Sequence, residues 1–202
     1  MLEVIIKLGL TIVLAYVIGS IPTGYLIVKS KTGDDIRKIG SGSTGATNVK
    51  RVLGKKWFFI TLLTDALKGA LPVILATKFV NVCSSIGLAP VLAAVSVIIG
   101  HSKSCFLNFN GGKSVASGVG TILALNFPVG ILIALVWGTI TYLTKYVSVG
   151  SIIALLLSPI LMFLFNAPVA YVIYCALGAI YIVYLHRENI KRLLAGNENK
   201  VR

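Results

Sequence analysis

The sequence predicts an all-α, polytopic membrane protein, and three observations carry that reading. Of its 202 residues, 56% are hydrophobic and 12% are charged, and that charged share is about half of what a soluble domain carries. A net charge of +13 coexists with a mean hydropathy of +0.92, so the 19 Lys and Arg must be segregated from long apolar stretches. Seven such stretches can be read along the chain, bounded by charge, Pro or Asn. Disordered, collagen-like and coiled-coil chains are excluded by the apolar fraction and the missing repeats.

A bilayer core takes about 20 helical residues. The first run, 4–28, lacks a basic leader and is too long for a cleavable signal, so it is expected to stay as a span. Within it, Gly19-Ser-Ile-Pro22-Thr-Gly24 puts Pro22 where it must disturb the helix and free backbone groups. The second run, 57–80, carries Asp65 and Lys68 three apart on one face. This is either an internal ion pair holding two helices in register or support for a site. The third is 86–100. The fourth, 114–126, is about 20 Å long as a helix, too short to cross, and reads as a half-span. The runs 129–144, 147–165 and 169–185 complete the set. The fold class is thus seven transmembrane helices in one domain, 1–202.

Orientation follows from charge. Residues 29–56, 101–113, 144–146 and 186–202 hold sixteen of the basic residues, whereas the connections 81–85, 126–128 and 166–168 hold none. Basic residues near span ends stay on the cytoplasmic side. The N-terminus is therefore expected outside and the C-terminus in the cytoplasm. Cys83, Cys105 and Cys175 lack any disulfide or zinc spacing and read as small apolar fillers.

The polar residues that solubility does not explain gather on the basic face. Residues 39–48 pack three glycines and four hydroxyls, ending at Asn48 and flanked by Arg37, Lys38, Lys50 and Arg51. Free amides, hydroxyls and guanidinium groups suit a phosphate. A basic loop on anionic lipid explains the charge but not the Gly-Ser-Thr-Asn cluster. Asn110-Gly-Gly-Lys113-Ser114 sets two glycines and a lysine at the start of the short span. Leu107 stands where a nucleotide P-loop needs glycine, so ATP binding is rejected. The tail from His186 is a basic amphipathic stretch, with His186 and Asn189 placed to share a site. No Gly-x-Ser-x-Gly elbow occurs, and Phe106 and Lys191 replace the Asp of a His-x4-Asp motif. Six acidic residues and two histidines give metal chemistry little to work with, and no cofactor is expected.

Taken together, Gly19-Ser-Ile-Pro22, Gly40-Ser-Gly with Gly45-Ala-Thr-Asn48, Asp65-x-x-Lys68-Gly, Gly100-His, the Gly-Gly-Lys113 loop, Val147-Ser-x-x-Ser151 and His186-Arg-x-Asn-Ile-x-Arg-Leu-x-x-Gly-x-Glu198 resemble the PlsY family of bacterial acyl-phosphate:glycerol-3-phosphate acyltransferases. The likeness covers essentially the whole chain, with Ser43 in place of the family's Asn and Ser114 in place of its usual Gly. It implies transfer of a fatty acyl group from acyl phosphate to the 1-hydroxyl of sn-glycerol 3-phosphate, giving lysophosphatidic acid and phosphate. It further implies phosphate contacts from Ser41, Gly42, Thr47, Asn48, Gly111, Gly112 and Lys113, with Arg51 as a charge clamp. Ser151, His186 and Asn189 would complete the pocket, and the catalytic group would be His186, Asn189, Lys113 and Ser151. The setting implied is a monomer among the lipids of the bacterial inner membrane, working on the cytoplasmic side and binding no nucleic acid. The alternative reading is a transporter of organic phosphate anions, which would want a cationic cavity at a broken helix and inverted repeats. Only the short echo Gly-Ser-x-x-Thr-Gly at 19–24 and 40–45 answers to that.

Overall fold

The structure, a computed structural model, describes residues 2–80 and 87–201. The expected outer connection 81–85, Cys83 and the first residue of the 86–100 run lie outside the described residues. The described residues form ten α-helices: α1 (Leu2–Ser20), α2 (Thr23–Thr32), α3 (Ala46–Leu53), α4 (Lys55–Phe79), α5 (Leu88–Ser102), α6 (Val115–Leu125), α7 (Phe127–Thr144), α8 (Val147–Leu164), α9 (Val169–Leu185) and α10 (Arg187–Leu194). Every expected apolar run is helical. Five are long and apolar enough to cross a bilayer, counting α1 and α2 as one run. A sixth arises only if α9 and α10, bent by 58°, are taken together, and α6, at 11 residues, is too short.

Packing is inverted relative to a water-soluble domain. Leu10, Leu63, Leu135 and Leu177 are more than half exposed on the outer faces of their helices, as a lipid solvent permits. The interior is lined by small residues such as Ala93, Ala94 and Ala154, with Val97, Ile133 and Met162 between them. Helix pairs approach closely at glycines. A Cβ on Gly19 would lie 2.5 Å from the Val97 carbonyl oxygen, fixing α1 against α5, and one on Gly120 would lie 2.0 Å from that of Ala66, fixing α6 against α4. α8 packs between α7 and α9.

Pro22 breaks the first run as its chemistry requires. The carbonyls freed there are used: Ser20 O accepts Ser104 Oγ–H at 2.6 Å, and Ile21 O accepts Lys68 Nζ–H at 2.6 Å. Lys68 also pairs with Asp65 at 2.8 Å, and Asp65 Oδ1 accepts the Thr23 hydroxyl. The buried pair is therefore an internal tie between α4 and the α1–α2 break. Lone buried charges are costly, and each member here has a partner. Cys175 is a buried filler as expected, but Cys105 is exposed, in a short 3-10 turn, Cys105–Leu107. That turn follows the end of α5, and its first residue faces outward instead of packing.

Candidate active site

A cavity of about 550 Å³ opens where the 41–51 segment, the start of α6, the start of α8 and the α9–α10 corner converge. Its polar end carries Ser41, Thr47, Arg51, Lys113, Ser148, Ser151, His186, Asn189, Arg192 and Glu198. Its other walls are apolar: Phe59, Leu62, Leu63 and Ala66 from α4, Val115, Ala116 and Val119 from α6, and Ala134, Trp137 and Gly138 from α7. Positive charge predominates at the polar end, where Arg51, Lys113 and Arg192 face the Glu198 carboxylate, while Asp65, the other acid of the lining, is paired with Lys68.

Each polar side chain is placed by a local device. Lys113 leaves the Gly-Gly segment just before α6 and is half-buried, and its ammonium donates to Asn189 Oδ1. Burial first, then repulsion from Arg192 and Arg51 against attraction from Glu198, pulls its pKa down to about 8. Asn189 Nδ2 donates to Glu198 Oε1 at 2.6 Å, Arg192 Nε donates to Glu198 Oε2 at 2.8 Å, and Ser148 Oγ donates to Glu198 Oε1 at 2.9 Å. Burial raises the Glu198 carboxyl, but these hydrogen bonds outweigh it and hold the group below its ordinary value. Val201 N donates to Lys145 O at 2.8 Å, so the tail folds back onto the start of α8. His186 sits at the α9–α10 corner with Nδ1 2.8 Å from Ile182 O. A carbonyl can only accept, so Nδ1 carries the proton and Nε2 is the acceptor.

A family model described as glycerol-3-phosphate acyltransferase matches residues 9–196. The chain belongs to that family. A glycerol-3-phosphate acyltransferase of Trichormus variabilis is 42% identical over 206 residues, covering 96% of this chain and 91% of the relative. One from Thermotoga petrophila is 44% identical over 189 residues, covering 94% of each. A crystal structure of PlsY (YgiH), an integral membrane glycerol 3-phosphate acyltransferase in its glycerol 3-phosphate form, superposes with a TM-score of 0.91 at 35% identity, covering 96% of both chains. The lysophosphatidic acid form of PlsY superposes with a TM-score of 0.89 at 34% identity. The resemblance seen in the sequence is thereby confirmed, and the chain is a multi-pass membrane acyltransferase.

The structure brings Ser41, Thr47, Asn48, Arg51, Lys113, Ser151, His186 and Asn189 around the cavity. Gly42, Gly111 and Gly112 are not among its lining residues. Gly111 N and Gly112 N donate to Ser102 O and His101 O, both at 3.0 Å. A Cβ on Gly111 would lie 2.0 Å from His101 O, so these glycines serve close packing. Gly42 turns the loop at φ +69°. Asn48, though at the wall, is a loop organiser: Nδ2 donates to Ile36 O (3.3 Å), Ile39 O (2.9 Å) and Ser43 O (2.9 Å), and Oδ1 accepts Ser41 N–H at 3.1 Å. Ser151 Oγ donates to Val147 O at 2.8 Å and accepts Trp137 Nε1–H at 3.2 Å. Arg37 is held by Asp35 at 2.6 Å and is not part of the wall. Ser114, where the family resemblance leads one to expect Gly, has φ +59° and is held there by its hydroxyl donating to Ile98 O at 3.0 Å.

Arg192, Glu198, Ser148 and His101 also line the cavity without having been expected as site residues, whereas Asp65, for which site support was one of the two readings, lies at the wall with its charge paired to Lys68. Glu198 carried a signal, being an acid in a basic tail that the resemblance already quoted. His101 carried only its place before the Gly-Gly-Lys loop.

Proposed function

We propose that this chain transfers a fatty acyl group from acyl phosphate to the 1-hydroxyl of sn-glycerol 3-phosphate, releasing lysophosphatidic acid and phosphate. The observation that carries this reading is the shape of this cavity: a cationic, hydroxyl-rich end together with apolar walls from α4, α6 and α7. Such a site suits a phosphate head on an acyl chain. The name and bound state of the superposable PlsY structures, one with glycerol 3-phosphate and one with lysophosphatidic acid, support both ends of the reaction.

In this mechanism Lys113, Arg51 and Arg192 bind the two phosphates, with Ser41 and Thr47 as hydroxyl donors and Ser151, His186 and Asn189 completing the pocket. The glycerol 1-oxygen bonds to the acyl carbon, the carbon–oxygen bond to phosphate breaks, and the hydroxyl proton passes to the leaving phosphate. His186 Nε2 accepts a hydrogen bond from the neighbouring 2-hydroxyl of the glycerol and so orients the 1-oxygen, whose own proton stays free to pass to phosphate. The cations offset charge that grows on phosphate as it leaves, and the shared pocket supplies proximity. The enzyme works as one domain, 1–202, and as a monomer, in the bacterial inner membrane with seven crossing segments, the short α6 completing its crossing with the non-helical residues 108–114 that precede it, the N-terminus outside and the cavity facing the cytoplasm. Sixteen basic residues on that face support this orientation.

The test is incubation of purified protein with glycerol 3-phosphate and either acyl phosphate or acyl-CoA. Lysophosphatidic acid should form only with acyl phosphate. Equal turnover of acyl-CoA would overturn the donor assignment.

A further inference from the structure

His101 lies at the end of α5, nearly buried, and the mechanism above does not use it. Two faces of its ring have different neighbours. On one, Nδ1 shares a hydrogen bond with Ser117 Oγ of α6 at 2.9 Å and lies 3.9 Å from Asp65 Oδ1 of α4. On the other, Nε2 faces the Gly-Gly segment: a Cβ on Gly112 would lie 2.4 Å from Nε2 and 3.0 Å from Thr44 Oγ1. The backbone repeats the contact, since His101 O accepts Gly112 N–H at 3.0 Å. The next residue is Lys113. Asp65, in turn, is anchored by Thr23 and Lys68 at the α1–α2 break.

We propose that His101 is a positioning residue for Lys113: its ring, held from Ser117 and Asp65, supports through Nε2 the segment from which Lys113 reaches the anion pocket. The chain of contacts gives Lys113, a long and flexible side chain, a rigid origin inside the helical bundle. A loop built on glycine needs such a support, because glycine itself resists no torsion. A misplaced charge costs activity steeply, since the group must sit within about 0.5 Å of its working place. The role of the segment as a phosphate site rests on the function proposed above.

Two isosteric variants separate the ring's faces. In His101→Gln the amide reaches the place of Nε2; in His101→Asn it reaches only that of Nδ1. Two readouts are taken in detergent: binding of inorganic phosphate, followed as the rise in melting temperature with phosphate, and kcat/KM for acyl transfer. His101→Asn should weaken phosphate binding and lower kcat/KM by about 30-fold, and His101→Gln by no more than about 3-fold, as expected when a charged group shifts by a fraction of an ångström from its working place. The melting temperatures without phosphate should agree between the two. Equal losses in Asn and Gln variants, or no loss in either, would overturn the proposal. Should both variants fail to fold, Ser117→Ala removes only the hydroxyl that holds Nδ1. It should weaken phosphate binding by about 10-fold, whereas Thr121→Val, another buried hydroxyl of α6, leaves it unchanged. Matching behaviour of these two would equally overturn the proposal. Because phosphate binding is read without turnover, a wild-type protein that makes no lysophosphatidic acid removes the proposed reaction and leaves this test intact.

Discussion

Asn189 stands between Lys113 and Glu198 with its amide orientation fixed: Oδ1 accepts from the ammonium, and Nδ2 donates to the carboxylate at 2.6 Å. An ammonium can only donate and a carboxylate can only accept, so the reverse orientation would break both bonds. Asn189→Asp sets a second carboxylate against Glu198 and pairs it to Lys113, drawing that charge away from phosphate. The variant should lose about 2 kcal/mol of transition-state stabilisation in kcat/KM. Adding Glu198→Gln restores a donor opposite the new carboxylate, so the double variant should regain about 1 kcal/mol. Purely additive losses would show that the three groups do not act as a unit.

Lys113 gives a pH dependence with opposite signs for activity and stability. Its pKa is pulled to about 8 by burial and by Arg192, from 10.5. Phosphate binding needs the ammonium, so kcat/KM, which reports the free enzyme, should fall about tenfold per pH unit above about 8. The folded-state value is depressed, so between pH 8 and 10.5 the unfolded chain holds more protons at this group. Its contribution to stability therefore rises with pH over that window. Lys113→Ala should remove the alkaline limb and cost about 2 kcal/mol or more in kcat/KM. Lys7→Ala, on the exposed first turns of α1, should be silent.

The glycines of the cavity loop should be intolerant for steric reasons. Gly111→Ala brings a methyl to 2.0 Å from a backbone oxygen, which cannot yield as a side chain can. It should lower the melting temperature and abolish transfer. Gly178→Ala in α9, with nothing within 4 Å of the new Cβ, should be neutral or stabilising by up to about 1 kcal/mol, because alanine is the better helix former. Thermal melting of the two purified variants decides the matter.

Cys105 offers a native probe of orientation, since it is exposed beside the cavity face. In a chain with Cys83 and Cys175 replaced by Ser, an impermeant maleimide should label Cys105 only after the cells are opened. Labelling in intact cells would invert the proposed topology and put the cavity on the wrong side.

The helices and the basic face could be read from the sequence because a bilayer imposes length and charge rules on each segment separately. Lys113, His186, Asn189 and Ser151 were placed together by family resemblance, and the structure gathers them at one cavity. What the sequence did not reveal depends on contacts between distant segments. Asn48 reads as a ligand because its amide offers two N–H donors and an acceptor oxygen, yet the fold engages both donors with the Ile36, Ile39 and Ser43 carbonyls and the oxygen with Ser41 N–H. Gly111 and Gly112 read as open amides, yet they lie against His101. Nothing local distinguishes a glycine that frees an amide from one that admits a neighbour. The fold of the tail was likewise hidden, because Glu198 acquires its partners only when the segment after α10 turns back over that helix and the start of α8.

Transfer should be direct, through a ternary complex, without an acyl-enzyme intermediate. Acyl phosphate is an activated mixed anhydride, so dividing the reaction into two covalent steps gains little. A covalent route needs an activated nucleophile, and the cavity hydroxyls are poorly placed to be one. Ser151 Oγ is engaged with Val147 O and Trp137 Nε1, and Ser41 belongs to an exposed loop turn. The one serine hydrogen-bonded to a histidine near a carboxylate among the described residues is Ser117. There Ser117 and Asp65 both approach the same nitrogen, Nδ1 of His101, whereas a triad needs them on opposite nitrogens. Ser117 is also fully buried. Initial rates with both substrates varied should therefore give intersecting double-reciprocal lines, and protein incubated with acyl phosphate alone should keep its intact mass. Parallel lines or an acylated protein would falsify direct transfer. With the leaving phosphate taking the proton, His186→Gln should keep at least about a tenth of kcat, whereas loss of an obligatory base costs about 100-fold or more. A loss of that size would move the proton to His186 Nε2 and leave direct transfer standing.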